Sequence, residues 1–219
     1  MARVREYWGS LDRNKKIFSI FSASILTFLI SYGGIGYIVW SSASQALAVN
    51  PGCGMWAENT PSDWTVDDDW ESFEPWPDSE ERVEIRRGFD ASPYQMPSYE
   101  EITFSPRDNS EIELSGWYVE VESGAPVVIL THGMPVNGKC KPEMLLMQGY
   151  LAEGGINTLS FDLRNYGNSD VVDDFVSVGQ KEYKDLLGAY DWLISEKAYQ
   201  PGEVGMTGIS LGGGAAIAF

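Results

Sequence analysis

Histidine occurs once in this 219-residue sequence, cysteine twice, and basic residues number 15 against 32 acidic ones. The shortage of positive charge, with a net −17 and an isoelectric point near 4.3, excludes a nucleic-acid partner, because phosphate binding needs clustered Lys and Arg. Cys53 and Cys140 are too few and too far apart for a disulfide scaffold or a zinc site. Two unrelated thiols is the simpler reading, and a single disulfide formed outside the cytoplasm is the alternative. No metal or cofactor motif stands out. The triplet Asp67-Asp68-Asp69 lacks the Gly at position six and the Glu at position twelve that a calcium loop requires, so it reads as a solvated acidic face. Internal repeats are also missing. What remains, 43% hydrophobic and 21% charged residues, suffices for one buried core and one membrane span.

That span is legible at residues 17–40. The run from Ile17 to Trp40 contains no charge and has the length and the Ile, Leu, Phe and Val content of a bilayer-crossing helix, which makes a lipid bilayer the first expected partner. Residues 1–16 carry Arg3, Arg5, Arg13, Lys15 and Lys16 against Glu6 and Asp12, and a basic flank of this kind stays in the cytoplasm. The rest of the chain is then expected outside it. The small-x-small triplet Ala46-Leu47-Ala48 leaves a cleaved secretory signal as the rival, but the apolar run exceeds the roughly 7–15 residues of a signal's hydrophobic region.

Residues 41–97 change character. Eleven acidic residues lie between Glu58 and Glu84 against one base, Arg82, and Pro51, Pro61, Pro75, Pro77, Pro93 and Pro97 interrupt any long helix. Like charges extend such a segment, so it reads as a stalk. Trp56, Trp64, Trp70 and Trp76 are interleaved with the acids, which is unusual for a solvated linker, and some of these rings are expected to pack on the domain that follows.

From near Ser98 the pattern is that of a folded domain. Alternation over Glu101–Ser105 and Glu111–Val121 around the turn residues 106–109 predicts an antiparallel hairpin. The continuous apolar run Val127-Val128-Ile129-Leu130 predicts a strand buried on both faces. A helix is expected from Pro142 to Glu153, a strand from Ile156 to Phe161, a helix from Gln180 to Lys197, a strand from Glu203 to Ile209 and a helix from Leu211 onward. Strand alternating with helix means an α/β fold with a mostly parallel sheet.

In that context Gly208-Ile209-Ser210-Leu211-Gly212 acquires weight. A G-x-S-x-G match alone is weak. Here it falls between a predicted strand and a predicted helix, where a sharp elbow pushes a serine hydroxyl out above the sheet.

Taken together the residues resemble the α/β-hydrolase superfamily, in the branch of prolyl-oligopeptidase-like, serine-aminopeptidase-like and Bem46-like proteins. The likeness rests on the strand and loop from Val127 to Gly133, the turn Asp162-Leu163-Arg164-Asn165-Tyr166-Gly167-Asn168-Ser169, the Gln180–Lys197 helix and the elbow, and it covers residues 98–219. The resemblance implies Ser210 as nucleophile, with the backbone N–H groups of Leu211 and Met134 as the oxyanion hole. It implies no cofactor and no metal. Asn165 stands where the family commonly has Gly, a position that a left-handed Asn accommodates.

The same fold places the catalytic acid and then the histidine after the serine. His132 precedes it, inside the oxyanion-loop motif, so a structural role is implied, and neither Asp162 nor Asp170 qualifies as the acid. The 219 residues are therefore expected to be the front part of a longer enzyme, inactive and poorly folded on their own. In full length the expectation is a membrane-anchored extracytoplasmic serine hydrolase acting on a small-molecule ester or amide or on a peptide. The alternative is a membrane-tethered, non-catalytic binding protein that kept the fold without the triad.

Overall fold

Asp12 starts the long apolar helix: its carboxylate accepts the Lys15 N–H at 2.9 Å, satisfying one of the donors that a helix N-terminus leaves free. Helix α1 then runs Arg13–Ala48, 36 residues, or about 54 Å at 1.5 Å per residue. Its portion Arg13–Ser42 has a mean hydropathy of 1.7 and its apolar stretch is not buried, so it is long and apolar enough to cross a membrane. These coordinates are a computed structural model that describes residues 8–48, 50–66, 88–134, 138–173 and 176–219. By its contacts the chain divides into Met1–Ala43 and Ser44–Phe219.

The second unit is built on strands β1 (Asn50–Pro51), β2 (Glu100–Phe104), β3 (Leu114–Val119), β4 (Val127–Thr131), β5 (Asn157–Phe161), β6 (Tyr166–Gly167) and β7 (Val204–Gly208), with helices α2 (Pro142–Glu153), α3 (Tyr183–Glu196) and α4 (Leu211–Ala218). Five strands form one sheet in the order β2-β3-β5-β4-β7. The first two are antiparallel to their neighbours, while β5, β4 and β7 run parallel. The fold is thus the α/β arrangement expected, with an antiparallel hairpin at one edge of the parallel strands. A two-residue parallel pairing of β1 with β6 was not legible in the sequence.

Both faces of the sheet are covered. Leu114 and Tyr118 of β3 join Ile129, Leu159 and Phe161 under Leu186, Ala189 and Leu193 of α3 and Leu211 and Ala215 of α4. Trp117 and Val119, pointing the other way by the two-residue period of a strand, meet Leu145 of α2 together with Cys53, Trp56, Trp64, Ala91 and Met96. Packing therefore begins well before the Ser98 boundary read from the strand pattern. Trp56 is 4% exposed and Trp64 1%, because without them the Trp117 face of the sheet would lie open to water. The expectation that some tryptophans pack on the domain holds for these two. Trp70, Trp76, Asp67-Asp68-Asp69 and most of the acidic run lie outside the described residues.

Two expectations need correction. Cys53 and Cys140 are not independent thiols; they form a disulfide with Cα atoms 5.8 Å apart across 87 residues of sequence. Separation along the chain does not measure distance in space, and the packing of Trp56 and Trp64 brings the two segments together. The helix expected from Gln180 starts at Tyr183. The buried Glu182 carboxylate accepts the Ser177 and Gly179 N–H groups at 2.9 and 2.8 Å, so the preceding residues form a turn around that side chain instead of a first helical turn.

Candidate active site

The elbow is made by close approach of backbones. Ile209 donates its N–H to Thr131 O at 3.0 Å, continuing the β4–β7 ladder one residue, and Gly212 donates to His132 O at 3.1 Å and Ile209 O at 2.9 Å. Between these bonds the chain must reverse within a single residue. Ser210 does so at φ 50° and ψ −109°, a region that non-glycine residues enter only when their surroundings hold them there. Its side chain is exposed. The flanking glycines are required sterically: a Cβ on Gly208 would stand 2.3 Å from the Gly212 carbonyl carbon, and one on Gly212 would stand 2.5 Å from Thr131 O and 2.7 Å from His132 O.

Leu211 opens α4 with its side chain 4% exposed. Its N–H belongs to the first turn, which has no intrahelical acceptor, and among the described residues none meets it. Met134 lies half-buried against the larger core cluster, and its N–H also has no acceptor among the described residues. The loop carrying it approaches the serine closely, since a Cβ on Gly133 would be 3.0 Å from Ser210 Cβ and 2.9 Å from Ile209 O. Ser210 and the Gly133–Met134 peptide are thus brought together, with Leu211 beside them.

His132 is fully buried. Its Nε2 accepts the Leu163 N–H at 3.1 Å, which places the proton on Nδ1, 3.1 Å from Gly133 O. Burial pushes its pKa down to about 4; nearby Asp162 opposes this, and Lys141 adds to it. Both ring nitrogens are engaged inside the protein, one by the turn after β5 and one by the loop after β4, which is the buried, structural environment its position implied. Asp162 is equally committed: its carboxylate accepts Lys139 Nζ at 2.6 Å and the Asn168 N–H at 2.9 Å. Arg164 ties the same turn to α3 through two bonds to Asp185, 3.0 Å from its N–H and 2.8 Å from Nε. Asn165 sits at φ 71°, and its side-chain oxygen caps the Val172 N–H at 2.8 Å.

Sequence reasoning missed Lys139 and Lys141. Lys139 Nζ also reaches Ser115 Oγ at 2.9 Å and lies 4.8 Å from the Trp117 ring centroid. Lys141 Nζ donates to Gly133 O at 3.1 Å. Two lysines flanking a cysteine carry no motif, and the clue, burial of both, exists only in three dimensions. A cavity of about 420 Å³ opens between Asn59, Thr103, Ser115, Trp117 and Cys140 and has no elbow residue in its wall. Among the described residues no three His, Cys, Asp or Glu side chains come together as a metal site.

A mixed sheet covered by helices on both faces, with a serine at positive φ between the end of a parallel strand and the start of a helix, decides the fold. The chain has the α/β-hydrolase fold. It is 27% identical over 120 residues to a thiohydrolase of Aspergillus aculeatus, a match covering 55% of this chain and 36% of that protein. An esterase of Pyrococcus furiosus, 28% identical, aligns with a TM-score of 0.48 over 60% of this chain and 49% of the esterase. A serine hydrolase without lid from Xanthomonas campestris, 18% identical, aligns at 0.44 over 55% of this chain and 56% of its own. No protein-family model matches the chain. The chain spans 36% of the curated relative and about half of these two solved structures.

Proposed function

We propose that this chain carries the nucleophile and oxyanion hole of a serine hydrolase that transfers an acyl group through Ser210. The observation that carries the reading is the backbone of Ser210, held at φ 50° with its side chain exposed at a strand-to-helix turn; strain of this kind persists where a fold presents a reactive group. The Ser210 Oγ forms a bond to the carbonyl carbon while the C=O electron pair moves onto oxygen, and the N–H groups of Leu211 and Met134 receive that charge. The hydroxyl proton goes to a base, which returns it to the leaving alcohol, amine or thiol as the C=O reforms, the C–O, C–N or C–S bond breaks and the acyl-enzyme is left on Ser210. His132 cannot be that base, with both nitrogens engaged inside the protein, so the reading requires a base other than the one histidine of this sequence. The substrate class is an ester, amide or peptide, and the relative named a thiohydrolase adds a thioester to it.

The same proposal anchors the enzyme in a membrane through residues 17–40, with the basic flank in the cytoplasm and the hydrolase domain outside. The disulfide supports that side, since structural disulfides persist in oxidising compartments. An alkaline-phosphatase fusion after Trp40 should be active, and an inactive fusion reverses the orientation.

The catalytic test uses the full-length protein, meaning these residues with whatever follows them in the reading frame. A fluorophosphonate probe should label it stoichiometrically, and Ser210→Ala should abolish the label. Absence of labelling in the wild type, or labelling that survives Ser210→Ala, refutes the assignment and favours a binding protein.

A further inference from the structure

In a trans peptide the carbonyl oxygen and the following N–H point in opposite directions. The direction of the Met134 N–H is therefore set by whatever holds the Gly133 carbonyl. Glycine lets a peptide plane rotate at little cost, so a loop of this sequence needs external restraint. If the plane turned over, the Gly133 oxygen would face Ser210 and repel the charge that develops there.

Two donors hold that oxygen, His132 Nδ1 and Lys141 Nζ, each at 3.1 Å. The lysine is the unexpected one. Lys141 is 6% exposed, and burial pushes its pKa down from the ordinary lysine value. Among the described residues its nearest carboxylate oxygen, on the half-exposed Glu143, is 3.9 Å away, and the Gly133 carbonyl at 3.1 Å is the closer acceptor of this ammonium. Lys139, by contrast, has a carboxylate at 2.6 Å. Lys141 also occupies the N-cap of α2, where a cation opposes the helix dipole and where Ser, Asp or Asn would stabilise the helix. Burial and position both disfavour a lysine here, and its contact with the oxyanion-loop peptide is what offsets them.

We propose that Lys141 is a positioning residue for the oxyanion hole, resting on the reading of Ser210 as nucleophile. It pins the Gly133 carbonyl inward so that the Met134 N–H faces the serine. A cation bonded to the carbonyl of a peptide also polarises that peptide and makes its N–H a stronger donor.

The test compares Lys141→Met, which keeps length without charge or donor, with Lys141→Arg, which keeps both, in the full-length protein. The probes are p-nitrophenyl butyrate and a trifluoromethyl ketone that forms a tetrahedral adduct on serine. Lys141→Met should lower kcat by roughly ten- to a hundredfold with KM little changed, and weaken the trifluoromethyl ketone by the same factor, because the contact is made only in the tetrahedral state. Lys141→Arg should recover most of that loss. If Lys141→Met does not fold, Lys141→Gln against Lys141→Arg gives the same comparison. Unchanged kcat in a folded Lys141→Met or Lys141→Gln, or equal losses in Lys141→Arg, overturns the inference while Ser210→Ala remains inactive. An inactive wild type, or an active Ser210→Ala, removes the nucleophile itself and the inference with it.

Discussion

Lowering the pH from 7 to 4.5 should destabilise the domain through His132. In the folded state the imidazole is buried and accepts the Leu163 N–H on Nε2, which requires it to be neutral. Its pKa is about 4 against the ordinary 6.5. The unfolded chain takes up a proton below pH 6.5 while the native protein does not until about pH 4, so stability falls as pH falls across that window. At about 1.36 kcal/mol per pH unit the full loss is about 3 kcal/mol, most of it present by pH 4.5. Carboxylates also titrate there, so the measurement is a difference between wild type and His132→Gln, followed by tryptophan fluorescence in urea at several pH values. At pH 7 the variant should be less stable by about 1–3 kcal/mol, the cost of disturbing a buried hydrogen-bonded group. That gap should close, and can invert, by pH 4.5. A wild-type-minus-variant difference that stays flat between pH 7 and 4.5 would show that His132 is not held neutral and would undo the assignment of its proton to Nδ1.

Gly212→Ala should cost about 1–3 kcal/mol by overpacking and suppress fluorophosphonate labelling, because its methyl would stand 2.5 Å from Thr131 O; a fully labelled, equally stable variant refutes the steric account of the elbow. Cys53→Ala with Cys140→Ala should lower stability by about 2–4 kcal/mol, as expected for opening a long covalent loop, and the native unreduced protein should show no titratable thiol. Two free thiols in the native protein would contradict the pairing.

Local pattern made most of the architecture legible before any coordinates. A buried strand must be apolar on both faces, as Val127-Val128-Ile129-Leu130 is, and a helix on a sheet must repeat its apolar residues every three or four positions. That repeat marked the helix correctly, although the stripe Tyr183, Leu187, Tyr190 and Ile194 is only half-buried and the residues that meet the sheet are Leu186, Ala189 and Leu193. The elbow was legible for the same reason: only glycine fits where backbones meet within van der Waals distance, so Gly208 and Gly212 mark the turn around Ser210. The lone histidine's place before the serine already implied that it was structural, and its two occupied nitrogens give the physical cause.

Tertiary structure alone decided what depended on contacts between distant segments. Nothing in the neighbourhood of Cys53 announces Cys140, and the sequence led to the expectation that some tryptophans of the acidic segment pack on the domain without saying which, whereas the structure shows Trp56 and Trp64 closing the open face of the sheet. Glu182 reads as an ordinary helical glutamate until its buried carboxylate is seen gathering the turn before α3. Lys139 and Lys141 read as surface charge in an acidic protein. Burial converts one into the partner of Asp162 and the other into a donor to the Gly133 carbonyl, because the environment that gives a charge its meaning is assembled from residues the sequence keeps apart.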